Sequence, residues 1–420
     1  MPHLCIRFLA GLLITTTSML SGNSSIISLE MPSIKRIEAI AQSMEGCISL
    51  AQGALRLGGI DQHTKEYARQ ILLTDKADYY GDSLGLAPLR QKLALTLSRS
   101  CNAPINVQNI FIGHGGLGVL SALALALLKT GDEILLPEPA YPAYTNIAKL
   151  AKAKPVFVAA YELRKTEAEP HGAWKFDIEL LKSAITSKTK ILLLSHPSNP
   201  TGVCLSNEEL QKLSSLCEDK GIYLIIDEVY DDFIYEGDFT SGTAFALQSP
   251  FTIRVGSFSK NYGMSGWRVG FAVAHQDLVA AIAPVQAATI GNATGIAQYA
   301  ALYALEHPEH IAHYATILKK NRDVMCNFFD SLQAKGIISY ERPKAGFYLF
   351  FKIHEGNTTE LIMDILKNAK VAMTPGNDFG PSAQQFIRLC FARDPEVVTE
   401  SIVRLKKYFS DKHPHLFTEI

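Results

Sequence analysis

A short, almost wholly apolar run that ends in a small or polar turn and leads into a helical segment recurs along this chain. That grammar limits the fold more than any other feature. Ile110-Phe111-Ile112 runs into Gly113-His114-Gly115-Gly116 and then into the strongly apolar residues 117–128. Residues 133–136, 155–158, 191–195, 223–226 and the mostly apolar 251–255 read as further strands. Strands apolar on both faces must be covered on both faces, so they belong to a parallel sheet packed between helices. Ligands of such sheets bind beyond the carboxyl ends of the strands. Gly115, Tyr141, Asn199, Asp227 and Lys260 all fall at or just past such ends, which predicts one composite site.

The residues at those ends carry specific chemistry. Ser257-Phe258-Ser259-Lys260 follows the run ending at Val255, and Gly266-Trp267-Arg268-Val269-Gly270 comes next. A lysine just past a buried strand end can lose its charge by desolvation and attack a carbonyl. Arg268 adds a permanent cation with a planar fork for a phosphate, and Ser257 and Ser259 add hydroxyl donors. A Schiff-base lysine beside an anion site suits an aldehyde carrying a phosphate, and pyridoxal 5′-phosphate (PLP) is that molecule. The glycine turn at 113–116 is a further phosphate cradle, because a helix N-terminus offers free N–H groups and the positive end of its dipole. It has neither the spacing of a dinucleotide fingerprint nor the Lys-Ser/Thr of a P-loop. Tyr141 and Tyr144, in a proline-stiffened loop, either stack on a flat ring or pack the loop. Prolines around Asn199 fix its backbone and present its amide outward. Tyr80, in the glycine-bearing loop 79–85, either aims its hydroxyl at an anion or packs on the surface. Taken alone, these residues also allow a surface Lys260 and an Arg268 paired with a carboxylate.

After Val273 the grammar changes. Residues 282–305 and 308–333 read as long helices. Short strands at 345–351, 371–373 and 386–391 then alternate with helices at 359–367 and 396–409, which predicts a small α+β domain. A chain of 420 residues is long for one core. The expected division is a large domain over 61–309 and a small one from 31–60 plus 310–420, behind an N-terminal extension, 1–30. In that extension His3 and Arg7 precede an apolar stretch at 8–20, which reads as a weak signal peptide or as a chain whose true start is Met19 or Met31. A net charge of −1 provides no basic field for nucleic acid, and no polybasic run marks a membrane surface. The seven cysteines are scattered without a CxxC pair, so no metal site or disulfide framework is indicated and a reducing, cytoplasmic location fits.

Ordered along the chain, the motifs resemble the class I/II aminotransferases of PLP fold type I, over roughly residues 31–410. They are Tyr80 with Gly85 and Leu89-Arg90, the Gly115-Gly116 turn, Gly131-Asp132-Glu133, Tyr141-Pro142-Ala143-Tyr144, Ser198-Asn199-Pro200-Thr201-Gly202 and Asp227-Glu228-Val229-Tyr230. The Ser257 and Gly266 motifs follow, then Pro375-Gly376-Asn377-Asp378-Phe379-Gly380 and Ile387-Arg388-Leu389-Cys390-Phe391-Ala392. The resemblance implies an α/β fold with a mostly parallel seven-stranded sheet covered by helices and a second small α+β domain. It implies a homodimer that moves an amino group between an α-amino acid and a 2-oxo acid through a Lys260 Schiff base with PLP.

The same resemblance implies a role for each residue. Lys260 would hold the cofactor and then shuttle a proton, Asp227 would pair with the pyridine nitrogen, and Asn199 and Tyr230 would bond the ring's phenolic oxygen. Tyr141 would stack on the ring. Ser257, Arg268 and the turn at Gly115, Gly116 and Leu117 would hold the phosphate, joined by Tyr80 of a neighbouring subunit. Arg388 would clamp the substrate carboxylate, with Asn199 and the Gly53 backbone assisting. Two departures bear on specificity. Leu117 stands where the family often has Ser, Thr or Lys, and Gly53-Ala54-Leu55-Arg56 where it often reads Gly-Glu-Pro. With no basic residue at 284–293 either, a strict aspartate/glutamate preference is not expected. A lyase or cyclase at the same site is the alternative enzyme. A sensor domain of a transcription regulator would need a DNA-binding module ahead of Met31, where basic periodicity is missing.

Overall fold

Seven strands form the central sheet. Along the chain they are β1 (Ile110–Gly113), β2 (Glu133–Pro137), β3 (Lys154–Val158), β4 (Thr189–Ser195), β5 (Tyr223–Asp227), β6 (Thr252–Ser257) and β7 (Gly270–Val273). This computed structural model describes residues 29, 31–167 and 172–416. Of the expectation for the extension at 1–30, all but Leu29 therefore lies outside the described residues. Across the sheet the strands lie in the order β1-β7-β6-β5-β4-β2-β3. Neighbours from β6 to β3 are parallel, whereas β7 runs antiparallel to both β6 and β1.

Side-chain alternation accounts for the burial on both faces. Ile134, Leu136, Ile191, Leu193 and Ile225 pack with Val119 and Leu123 of the helix Gly115–Leu127. Their sequence neighbours Leu135, Leu192, Leu194, Leu224 and Ile226 pack with Leu210, Leu213 and Cys217 of the helix Asn207–Lys220 on the other face. That second helix begins at a Ser206–Glu209 capping box and ends at Gly221, whose φ of 63° closes the last turn without a Cβ penalty.

An antiparallel four-stranded sheet, Ile338–Tyr340, Tyr348–Ile353, Phe386–Cys390 and Thr374–Pro375, packs with the helices Glu309–Ala334, Thr358–Ala369 and Pro395–Lys412. The N-terminal helix Ser33–Ser43 joins the same apolar cluster, and Ile48–Ser49 pairs in parallel with Val371–Ala372.

Two expectations are corrected, and one element is added. Residues 282–305 do not form one helix: Gln276–Thr289 and Gly295–Glu306 are separated at Gly291, which has a φ of 71°. The strand expected from 345 starts at Tyr348, after Gly346 turns the chain with a φ of 73°. The hairpin Tyr161–Arg164 and Ala173–Phe176 was not foreseen; its Trp174 packs on Phe350 and Phe386. Among the described residues no helix is long and apolar enough to cross a membrane.

Candidate active site

Strands β1, β2, β4, β5 and β6 point their carboxyl ends at one edge of the sheet. Antiparallel β7 begins at that edge, so Arg268, two residues before it, arrives there too. Lys260 sits on the short helix Phe258–Asn261, which caps β6; Ser257 accepts the Ser259 N–H there at 3.1 Å. The Lys260 amine donates to the Gly53 carbonyl at 2.5 Å and lies 6.0 and 5.8 Å from the ring centres of Tyr230 and Phe347. Loss of hydration around the amine lowers its pKa to about 8.

Asp227 is the last residue of β5 and is buried. Its Oδ2 accepts the Tyr144 hydroxyl at 2.7 Å, and its Oδ1, equally buried, has no partner. Burial raises this carboxyl to about 6, against the opposing pull of the Tyr144 bond and the Lys260 charge. Tyr144 opens off the helix Ala143–Leu150, and Tyr141 meets it edge-on at 5.4 Å. The loop tyrosines thus divide the two readings left open by the sequence: Tyr144 packs and orients, while Tyr141 stays half-buried.

A third group gathers around Arg388, on the strand Phe386–Cys390 and 1% exposed. It donates to Asn199 Oδ1 at 3.0 Å and to the Ala51 carbonyl at 2.8 Å, and its Nε is buried without a partner. Tyr348 and Phe379 lie 4.3 and 5.0 Å from the guanidinium carbon. Tyr348 also shares a hydrogen bond with Tyr230, hydroxyl to hydroxyl, at 2.8 Å. A Cβ at Gly53 would run into the Tyr348 hydroxyl, so this position takes glycine for close approach.

The fourth group is an anion cradle. Gly115 opens the helix Gly115–Leu127 with a φ of 68°, and a Cβ there would strike the Arg268 guanidinium. Ser257 lies beside Gly116, and its hydroxyl donates to Ser259 at 2.9 Å. Arg268 itself holds a φ of 58°, a costly conformation for a side chain with a Cβ. It is anchored on the Ser265 carbonyl at 2.8 Å. The first amides of a helix have no partner within it, and here Gly115 and Gly116, at its start, lie against Arg268 and Ser257.

The structure therefore brings Lys260, Asp227, Tyr141, Asn199, Tyr230, Ser257, Arg268, Gly53, Gly115, Gly116 and Arg388 to one edge. Leu117 follows on the first helical turn, 39% exposed. Tyr80 stands apart from them in surface terms: it is 97% exposed. Sequence reasoning missed Tyr348 and the orienting role of Tyr144. Nothing local marks Tyr348, because its importance arises only when the small sheet brings it to the Tyr230 hydroxyl and to Gly53.

A profile of the family "Aminotransferase class I and II" matches residues 45–405. The chain belongs to that family. Among its relatives, the "Probable aspartate/prephenate aminotransferase" of Aquifex aeolicus is 31% identical over 338 residues, 78% of this chain and 82% of the relative. The aspartate aminotransferase of Thermotoga maritima superposes with a TM-score of 0.81 at 27% identity, covering 91% of this chain and 98% of that one. The aromatic aminotransferase of Pyrococcus horikoshii gives 0.78 at 27% identity, covering 90% and 99%. This aminotransferase is thus a transferase of amino groups in a family that uses PLP, and elimination chemistry is not favoured.

Proposed function

We propose that this aminotransferase holds PLP at the carboxyl edge of the central sheet and uses Lys260 to move the proton at the substrate Cα. The observation that carries the reading is Asp227: a buried carboxylate with one oxygen satisfied by Tyr144 and the other unpartnered, next to a lysine whose amine is partly neutral. An unpartnered buried carboxylate oxygen is costly unless a donor completes it, and a protonated pyridine nitrogen is such a donor. The residues fit the rest of the molecule. The amides at Gly115, Gly116 and Leu117 with Ser257 and Arg268 would take its phosphate, Asn199 and Tyr230 its phenolic oxygen, and Tyr141 its ring face.

Bound there, PLP supplies a ring that accepts the electrons left when the Cα proton departs. Asp227, ionised above about pH 6, keeps positive charge on the ring nitrogen. Lys260 would move the proton between the substrate Cα and the C4′ carbon of the cofactor, in opposite directions in the two half-reactions. Arg388 holds the substrate carboxylate by its fork, and its packing between Tyr348 and Phe379 fixes the fork's plane.

We also read the active form as a homodimer, because Tyr80 is presented outward, where a second copy can take it up. The division into 31–60 with 310–420 and 61–309 is our reading of the shared apolar cluster that joins both chain ends. The scattered cysteines support a cytoplasmic location.

The test is direct. Purified protein mixed with PLP should absorb in the visible, and borohydride should fix the cofactor on Lys260 in a peptide map. A label on another lysine overturns the assignment.

A further inference from the structure

Arg254 is the one charge inside the apolar run of β6, and it is 2% exposed. Its Nε donates to Glu228 Oε2 at 3.1 Å and its Nη2 to Asp231 Oδ2 at 2.5 Å. Asp231 uses its other oxygen to accept from Asn261 Nδ2 at 2.7 Å. The positions are telling: Glu228 follows Asp227, Asp231 follows Tyr230, and Asn261 follows Lys260. Each of three residues that serve the proposed chemistry therefore has its sequence neighbour bound into one buried network.

The rest of the structure makes room for that network. A Cβ at Gly256, two residues along β6, would collide with the Arg254 guanidinium, so the arginine lies flat only over a glycine. Phe271 of β7 covers it, 4.8 Å from ring centre to guanidinium carbon. Glu228 is completed by the Ser241 hydroxyl at 2.6 Å and the Gly242 amide. Burial raises Glu228 to about 7 and Arg254 opposes that rise, so the pair depends on the arginine staying in place.

We propose that Arg254 is a positioning residue: it ties the neighbours of Asp227 and Tyr230 together directly, and that of Lys260 through Asp231, and so fixes the mutual placement of the three. The proposal rests on the cofactor reading above. A one-sided role as core cement would explain the ion pair. It would not explain why its two partners, Glu228 and Asp231, and Asn261 bound to the second of them, are the residues next to the three reactive ones.

The experiment compares wild type with Arg254→Lys, Gly256→Ala and the neutral triple variant Glu228→Gln/Asp231→Asn/Arg254→Met, each loaded with PLP. A buried ion network replaced as a whole by neutral groups is often tolerated, whereas removing one partner is not. Melting temperature, kcat and KM for an α-amino acid, and the pH midpoint of the visible absorbance are read for each. The folded triple variant is expected to lose about tenfold or more in kcat with KM within about threefold, because the Arg388 clamp is untouched. Its absorbance midpoint should shift as Asp227 and Lys260 lose their fixed separation. A folded triple variant with wild-type kcat and midpoint overturns the proposal. If the triple variant does not fold, Arg254→Lys and Gly256→Ala decide: the first keeps the charge without the fork, the second keeps the arginine and displaces its fork, and unchanged kcat in both also overturns the proposal. Wild type that takes up no PLP on Lys260 would instead defeat the cofactor reading, and this inference with it.

Discussion

Tyr144 donates its hydroxyl hydrogen to Oδ2 of Asp227 at 2.7 Å, and so leaves Oδ1 as the single free oxygen of a buried carboxylate. The bond stabilises the ionised form, since a hydrogen bond to the charged state lowers a carboxyl pKa. Tyr144→Phe removes it at almost constant volume. The Asp227 pKa should then rise above its present value of about 6, leaving more of the group neutral at pH 7. We expect kcat/KM to fall about three- to tenfold, with the acid limb of its pH profile moved to higher pH. An unmoved acid limb would show that Tyr144 only packs the loop.

The Lys260 amine sets a second pH dependence. Its pKa is lowered from 10.5 to about 8 by burial. Below pH 8 the amine is an ammonium and does not attack an aldehyde, so capture of PLP by the apo protein should speed up with a midpoint near 8. Stability follows with a definite sign. Between about pH 8 and 10.5 the unfolded chain still carries a proton that the folded chain has released, so unfolding binds a proton and stability rises with pH. Apo wild type should therefore gain stability over Lys260→Met across that window and not below it. Denaturant melts of the two proteins at pH 7, 8.5 and 10 check this; parallel curves would place the Lys260 pKa near its ordinary value.

Arg388 offers a fork whose Nη1 and Nη2 already bond Asn199 and Ala51. Arg388→Ala removes a charge-assisted pair with the substrate carboxylate and leaves Asn199 Oδ1 without its donor. We expect a large rise in KM and a loss of at least about tenfold in kcat/KM. Arg388→Lys keeps the charge but not the planar fork and should recover only part of it. Unchanged kinetics with α-amino acids would show that another group binds the carboxylate.

Tyr80 is 97% exposed in the chain considered alone. If a second copy uses it at the phosphate, Tyr80→Phe should weaken PLP binding while the sedimentation coefficient stays that of a dimer. A fully active monomer would remove the basis for this expectation.

Much of this site was readable because strand ends in a parallel sheet share an edge. Once the apolar runs at 110, 133, 191, 223 and 251 are read as parallel strands, Gly115, Tyr141, Asn199, Asp227 and Lys260 must meet there. Contacts formed between the two sheets were not readable. Tyr348 reaches Tyr230 and Gly53 only through docking of the small sheet, and periodicity within a strand carries no record of that docking. Arg254 was hidden for the opposite reason: one charge in an otherwise apolar strand does not disturb the strand pattern, so its partners emerged only in three dimensions. The break at Gly291 was legible and was passed over: Gly291-Asn292 and Thr294-Gly295 are turn residues between two apolar helical segments.

The side-chain pocket is the last point at issue, and Arg56 is the residue that could have supplied a second carboxylate clamp. The structure holds it elsewhere. Its Nη2 donates to Glu38 Oε1 at 3.1 Å and to Gln52 Oε1 at 3.2 Å, and its backbone N–H bonds the Ala392 carbonyl at 3.1 Å. A swing of Arg56 toward substrate would give up its bonds to Glu38 and Gln52, while Glu38 would keep the Ser49 hydroxyl. Leu117 presents an apolar side chain on the first turn beside the anion cradle, where each buried CH₂ of a substrate is worth about 0.8 kcal/mol. The Aquifex relative is named for both aspartate and prephenate, and one structural neighbour for aromatic substrates, so relatives with this fold differ in the side chains they accept. We therefore expect kcat/KM for aspartate to exceed that for phenylalanine, leucine or alanine by less than about a hundredfold, which is about 2.7 kcal/mol. Arg56→Ala should leave those ratios within about threefold. Its cost should fall on stability instead, by no more than about 1 kcal/mol, because the arginine is half exposed and the pair is screened. An aspartate preference of a hundredfold or more that disappears in Arg56→Ala would reverse this reading and make Arg56 the second clamp, with Glu38 as the group that parks it between turnovers.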